Sequence, residues 1–326
     1  MEQVQLISEL NGLLKETFEL WEPGWVTFNW RAYTYDHTQR VTGLAMTLCE
    51  REGGDVWVTQ LAALLHDITK PYDGDYLVGP DGKRLVDEHG LWHNATRLPA
   101  RQNRVTEMYD RLGLAGTLHN ESGAIIAREL LRGYGVDERI CERVAETIQH
   151  HLRPPEDAPT ESGCLYDADT IDANIGLPAF VRNIYIHHHY YDQRKGPDAP
   201  SIGQILLDRP LEYLEPYIRA NLPEWAEGKR RDFVPRLVTA SGRELGGTRI
   251  DRLLKHFAWL SDELDVFAEH PDHTGIDVVV HYMTHTDEPS IAEETCHLSE
   301  VWAQQGASAE TRAFIEEIQR EIQGVA

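Results

Sequence analysis

The stretch LAALLHDITK, residues 61–70, ends an apolar run on His66 and Asp67, with Lys70 three positions on. Other polar residues interrupt otherwise apolar helical faces in the same way: His37, His119, His150 or His151, and Asp169. Neutral imidazole and carboxylate suit divalent first-row metals, and sites in helical bundles are built from side chains on facing helices. A short carboxylate flanked by histidines can bridge two ions, and two ions about 3.5–4 Å apart can clamp the oxygens of a phosphoryl group during in-line displacement. Lys70, close to one turn beyond Asp67, is placed to set a cation against another phosphate oxygen. Taken singly, each of these histidines reads as a core or cap residue. Their joint occurrence, in order, at the ends of apolar helices points to a metal site.

The elements that must position them are helices. In HTQRVTGLAMTLCE, Val41, Leu44, Ala45 and Leu48 keep the i, i+3, i+4, i+7 rule, and His37 lies one helical step earlier on the same face. Leu61, Leu64, Leu65 and Ile68 repeat the spacing, with His66 and Asp67 near the helix end. HNESGAIIARELLRGYG predicts a helix opening near His119 and closed by Gly133 or Gly135. DERICERVAETIQHHLRPP predicts a helix with Cys141, Val144, Ala145 and Ile148 inward, ending at His150 and His151 before Pro154. The apolar stripe extrapolates to His151 more directly than to His150. Residues 71–118 are rich in Gly, Pro and Asp and lack sustained periodicity until their end, which predicts a functional lid or a dispensable insertion, the lid being preferred.

Length and composition fit this picture. A chain of 326 residues, 41% apolar and 26% charged, describes a globular protein of two folding units. The Pro, Gly and charge-rich YYDQRKGPDAPS suggests a boundary near 195, separating residues 1–195 from a helical unit at 196–326. No run approaches a membrane span and the start lacks the order of a secretion signal, so a cytoplasmic protein without a membrane partner is expected. The four cysteines have no close pair and read as core thiols. The formal charge of −23 opposes extended nucleic acid and favours a small anionic substrate held by metal ions; a homo-oligomer stays open.

The order His37, His66-Asp67, His119, His150-His151, Asp169 resembles the HD-domain metal-dependent phosphohydrolase superfamily, and AALLHDITK, HNESGAIIARELL, IQHH and DADTIDANIG look like its small bacterial hydrolases. The resemblance covers roughly residues 30–185. It implies an all-α HD-domain bundle with an additional helical C-terminal domain. It also implies two divalent ions, of Mn, Fe, Ni, Co, Zn or Mg, and a nucleotide or other small phosphate ester or anhydride as substrate. Carried over by position, His37, His66, Asp67 and Asp169 form the core ligand set, Asp169 being preferred to Asp167 because it begins DTIDA. His119 with His150, His151 or both completes a second metal site; Asp67 and Lys70 carry the catalytic roles. Thr69 replaces the glycine of the common HDIGK form, no GYP follows the paired histidines, and Tyr33 stands where trinuclear members carry glutamate. Hydrolysis of cyclic di-GMP and a third metal are therefore not implied.

Two other readings use the same residues. A mixed-valence di-iron oxygenase would need the same ligands, with Tyr33 and Tyr35 close to His37, and a non-catalytic metal-binding regulatory module would keep the fold alone. His89 and His93 read as loop residues, the histidines at 187–189 as a solvated helix end, and His281 with His285 as surface. The aromatic residues of LWEPGWVTFNWRAYTY read as packing over the first ligand helix.

Overall fold

The computed structural model describes residues 2–22, 31–87, 90–194, 199–269, 275–284, 290–305 and 307–324. It is all-α apart from one small two-stranded sheet, and it divides into two compact units, 1–169 and 170–326. The division falls inside a helix; the composition change near 195, where the sequence suggests a boundary, lies between two helices of the second unit.

In the first unit the chain runs α1 (Gln3–Phe18), α2 (Arg31–Glu52), α3 (Val56–Leu65), β1 (Asp73–Tyr76), β2 (Asn94–Thr96), α4 (Arg104–Arg111), α5 (His119–Gly133), α6 (Glu138–Gln149) and α7 (Thr160–Asn174), the last crossing into the second unit. The expected stripes form its core: Val41, Leu44, Ala45 and Leu48 of α2, Leu61, Leu64 and Leu65 of α3, and Cys141, Val144, Ala145 and Ile148 of α6 are all buried. Helix α3 packs on α2 and α6, and α6 on α5, so the ends that carry the polar residues meet.

Local chemistry sets the helix starts. Asp55 caps α3 by accepting from the backbone N–H of Trp57 and Val58. Arg143 of α6 then bridges Asp55 at 2.7 Å and Glu161 of α7 at 2.9 Å, tying three helices at the end remote from His66. Asn103 and Thr106 form a capping box at the start of α4, and the Asn103 amide also donates to Thr17 of α1.

The insertion is a β-ribbon followed by α4. Strands β1 and β2 pair antiparallel, with Asp73 opposite Thr96, and bridges at Val78–Arg84 and Val86–Trp92 continue the ribbon. Gly74 is required there, because a Cβ would come 2.6 Å from the Ala95 carbonyl oxygen.

The second unit contains α8 (Leu177–Arg194), α9 (Ile202–Asp208), α10 (Pro210–Pro216), α11 (Leu222–Asp232), α12 (Ala240–Glu269), α13 (Gly275–Thr284), α14 (Ile291–Gln305) and α15 (Ala309–Ile322). Phe180, Phe257, Leu260, Tyr282 and Phe314 lie in its core. Glu321 is buried and accepts from the Leu177 N–H at 2.7 Å and from Arg252 at 2.9 Å, so a carboxylate stabilises the N-terminus of α8. Among the described residues, no helix is long and apolar enough to cross a membrane.

Several expectations change. Cys49, Cys141 and Cys164 are buried, but Cys296 is exposed. His187 is half-buried against Tyr213 and Tyr217 and is not a solvated helix end. His281 is half-buried and bonds Glu294 across to α14 at 2.7 Å; His285 lies outside the described residues, as do His89, Trp25, Phe28 and Trp30.

Candidate metal centre

Histidine and carboxylate side chains converge where α2, α3, α5, α6 and α7 present them. His37 projects from within α2, and His66 and Asp67 follow the last residue of α3. His119 opens α5, His151 lies just past α6, and Asp169 is on α7. His37, His66, Asp67, His119 and His151 are all buried, and the Asp169 side chain is 21% exposed.

Asp67 is the pivot. Its Oδ2 lies 3.8 Å from His37 Nε2 and 3.6 Å from His66 Nε2, while its Oδ1 lies 3.6 Å from His119 Nε2 and 3.9 Å from His151 Nε2. Asp169 Oδ1 is 3.1 Å from His37 Nε2 and so joins the first set. Two ligands at about 2.0–2.2 Å from one ion are separated by roughly 3–3.6 Å, and each set, at 3.1–3.9 Å, lies within a few tenths of an ångström of that spacing. Two donor groups therefore share one carboxylate: His37, His66 and Asp67, and Asp67, His119 and His151.

The protonation pattern fits cation binding. His66 Nδ1 donates to the Ala63 carbonyl and His151 Nδ1 to the Ile148 carbonyl, each at 2.7 Å, which leaves both Nε2 atoms as acceptors. Those two Nε2 atoms are buried without a hydrogen-bond partner. An orphaned buried acceptor is costly, and a divalent ion satisfies it. Burial, then the neighbouring His66 and His119, push His151 down to about 3, so its imidazole is neutral at ordinary pH. Burial raises the Asp67 carboxyl, but His66, Lys70, His119 and His37 outweigh it and hold the group below the usual carboxylate range. Asp169, raised by burial, is held low by its hydrogen bond with His37.

The structure separates the paired histidines: His151 enters the donor set, while His150 is turned to Ser162 Oγ at 3.2 Å and is not brought to Asp67. His150, at the α6 C-cap, has rotated off the stripe that His151 continues. Lys70 Nζ lies 3.3 Å from His119 Nε2 and 3.7 Å from Asp73 Oδ2, at the rim of the second donor group. Tyr33 is buried and stacks along His37 with ring centroids 6.1 Å apart.

Two features escaped the sequence reading. The Thr69 hydroxyl donates to the His119 carbonyl at 3.0 Å and lies 2.9 Å from Ser122 Oγ, pinning the first turn of α5 to the His66-Asp67 turn. Gly123 permits that approach, since a Cβ there would sit 3.1 Å from the His66 carbonyl oxygen. The second is Asp73, whose Oδ2 lies 2.7 Å from His119 Nδ1. Only the departure from HDIGK at Thr69 signalled the first; nothing in a stretch crowded with turn-forming aspartates distinguished the second.

The HD domain family model matches residues 34–174, a span that contains every donor above. This stretch is similar to an HD domain. Among curated proteins, no sequence matches the chain. Among solved structures, YpgQ of Bacillus subtilis is similar at 17% identity and TM-score 0.39 over 81% of this chain and 97% of its own, and has also been solved in complex with ADP. A predicted HD superfamily hydrolase from an uncultured Thermotogales bacterium is similar at 22% identity and TM-score 0.37, over 69% of this chain and 99% of that one. A protein of Lactobacillus plantarum is similar at 16% identity and TM-score 0.40, over 82% and 100% of the two chains. The matched span coincides with the buried His/Asp donor groups that could hold a metal ion.

Proposed function

We propose that the protein is a phosphohydrolase that uses two divalent ions to cleave a nucleotide or another small phosphate ester or anhydride. The observation that carries this reading is the division of Asp67: one oxygen faces His37 and His66, the other faces His119 and His151. A carboxylate so divided holds two cations close enough to act on one phosphoryl group. His37, His66, Asp67 and Asp169 would hold one ion, and Asp67, His119 and His151 the other. When bound, such ions supply a water activated near neutral pH and Lewis-acid stabilisation of phosphoryl oxygens.

The chain's own groups do the rest. His66 and His151 are each oriented by a carbonyl at Nδ1, and His151, neutral at ordinary pH, binds without first losing a proton. Asp67 stays ionised against its own burial and keeps both oxygens available. Lys70, at the rim with its Nζ 3.3 Å from His119 Nε2, places a positive charge where phosphoryl oxygens gather negative charge. His66 and His151 are buried, and the low polarisability of such surroundings strengthens each electrostatic contact.

Phosphate release from a panel of nucleotides and phosphate esters, with Mn, Ni, Co, Fe or Mg added, tests the reading. Wild type is expected to release phosphate in a metal-dependent manner, and Asp67→Ala to release none above background. No release with any ion, together with oxygen uptake by iron-loaded protein, would replace it with the di-iron oxygenase reading; tight metal without either activity would favour the regulatory module.

A further inference from the structure

We propose that Asp73, at the root of the 71–118 insertion, is a positioning residue that fixes the His119 imidazole and thereby sets the affinity of the second metal subsite. The proposal rests on the metal-centre reading above.

The need for such a residue follows from helix polarity. His66 and His151 lie at the C-terminal ends of α3 and α6, where the last turn offers free carbonyls, and each donates Nδ1–H to the carbonyl three residues back. His119 stands at the opposite kind of helix end, the first residue of α5. The free backbone groups there are N–H donors, which cannot accept the imidazole proton. An acceptor must come from elsewhere in the fold. Asp73 Oδ2, 2.7 Å from His119 Nδ1, is that acceptor. A carboxylate on one ring nitrogen selects the tautomer whose Nε2 faces Asp67 Oδ1 and raises the basicity of that nitrogen.

The carboxylate is itself held from three sides. The preceding residue, Tyr72, is buried between Trp21, which meets it edge-on at 4.9 Å, and Tyr109, stacked on it at 3.6 Å between ring centroids. The Tyr72 carbonyl accepts from Arg97 N–H at 2.8 Å on the returning side of the ribbon. The Asp73 backbone N–H bonds to the Lys70 carbonyl, and Lys70 Nζ approaches its Oδ2 at 3.7 Å. The ribbon root is thus welded to the HD turn on one side and to a metal-facing histidine on the other. In this arrangement the insertion has a function at its base whatever its tip does.

Titration of chelator-stripped protein with Mn²⁺ or Co²⁺, read by calorimetry and by the visible spectrum of the Co²⁺ form, tests this in wild type, Asp73→Ala, Asp73→Asn and Asp67→Ala. The first ion should bind Asp73→Ala as it binds wild type, and the second about 10- to 100-fold more weakly, with an altered Co²⁺ spectrum. Asp73→Asn keeps an acceptor oxygen and should recover most of that loss, which a purely structural role would not predict. Equal binding of both ions by wild type and Asp73→Ala overturns the proposal and leaves the metal centre intact. Equal weakening of both ions, with a lower melting temperature of the stripped protein in both Asp73 variants, overturns it in favour of a structural role. Failure of wild type to bind any ion better than Asp67→Ala removes the metal reading itself.

Discussion

His151 makes the metal-free protein sensitive to acid in a window of its own. Its imidazole, 1% exposed, is pushed from its ordinary 6.5 to about 3 by burial and by His66 and His119. The unfolded chain therefore binds more protons than the folded one between those values, and stability falls as pH drops below 6.5. Linkage over that interval gives a loss of about 2 kcal/mol between pH 7 and pH 5 from this residue alone. The carboxylates contribute later, because Asp67, Asp73 and Asp169 are held below their ordinary 3.8 and lose their stabilisation only as pH falls through and below that value. In the His151→Leu variant the early loss should vanish while the late one remains. Denaturant-dependent hydrogen exchange, in chelator, of peptides from α3 and α6 isolates the first unit from the second. If wild type and His151→Leu lose equal stability from pH 7 to pH 5, His151 is not held neutral by its surroundings and the picture of a crowded, desolvated imidazole cluster fails.

Two other perturbations separate the roles of neighbouring groups. Lys70→Met should lower kcat by roughly 10²- to 10³-fold while leaving bound metal per chain unchanged, as measured by steady-state phosphate release and elemental analysis; loss of metal with unchanged kcat would place Lys70 in binding instead. In the second unit, Gly176 has φ +110° and a Cβ there would lie 2.5 Å from Glu321 Oε2. Gly176→Ala should destabilise that unit by about 1–3 kcal/mol, seen as faster exchange in α8 and α15, with metal uptake retained.

The helices that deliver the site were legible because each has one apolar stripe and one polar interruption. His37 sits on the stripe of Val41 and Leu48, and burial of all three follows from period alone. The same extrapolation favoured His151 over His150, and it is the His151 side chain that lies beside Asp67 while His150 turns to Ser162. Asp73 was not legible, because its partner is 46 positions away and no periodicity links a ribbon residue to a helix start. Lys70 was legible as a cation near the site, but its contacts with His119 and Asp73 depend on the turn that follows α3. The division of the chain inside α7 was hidden for a different reason: a helix that belongs to two units carries no Pro or Gly at the crossing.

Under the proposed function, Asp67 would hold two ions between two sets of histidines. Anomalous diffraction from crystals of the manganese-loaded protein tests it directly. Two peaks about 3.5–4 Å apart are expected, one on each side of the Asp67 carboxylate, with His37, His66 and Asp169 on the first and His119 and His151 on the second. A single peak bound through one Asp67 oxygen, or ions held elsewhere with both His66 Nε2 and His151 Nε2 unligated, would contradict it.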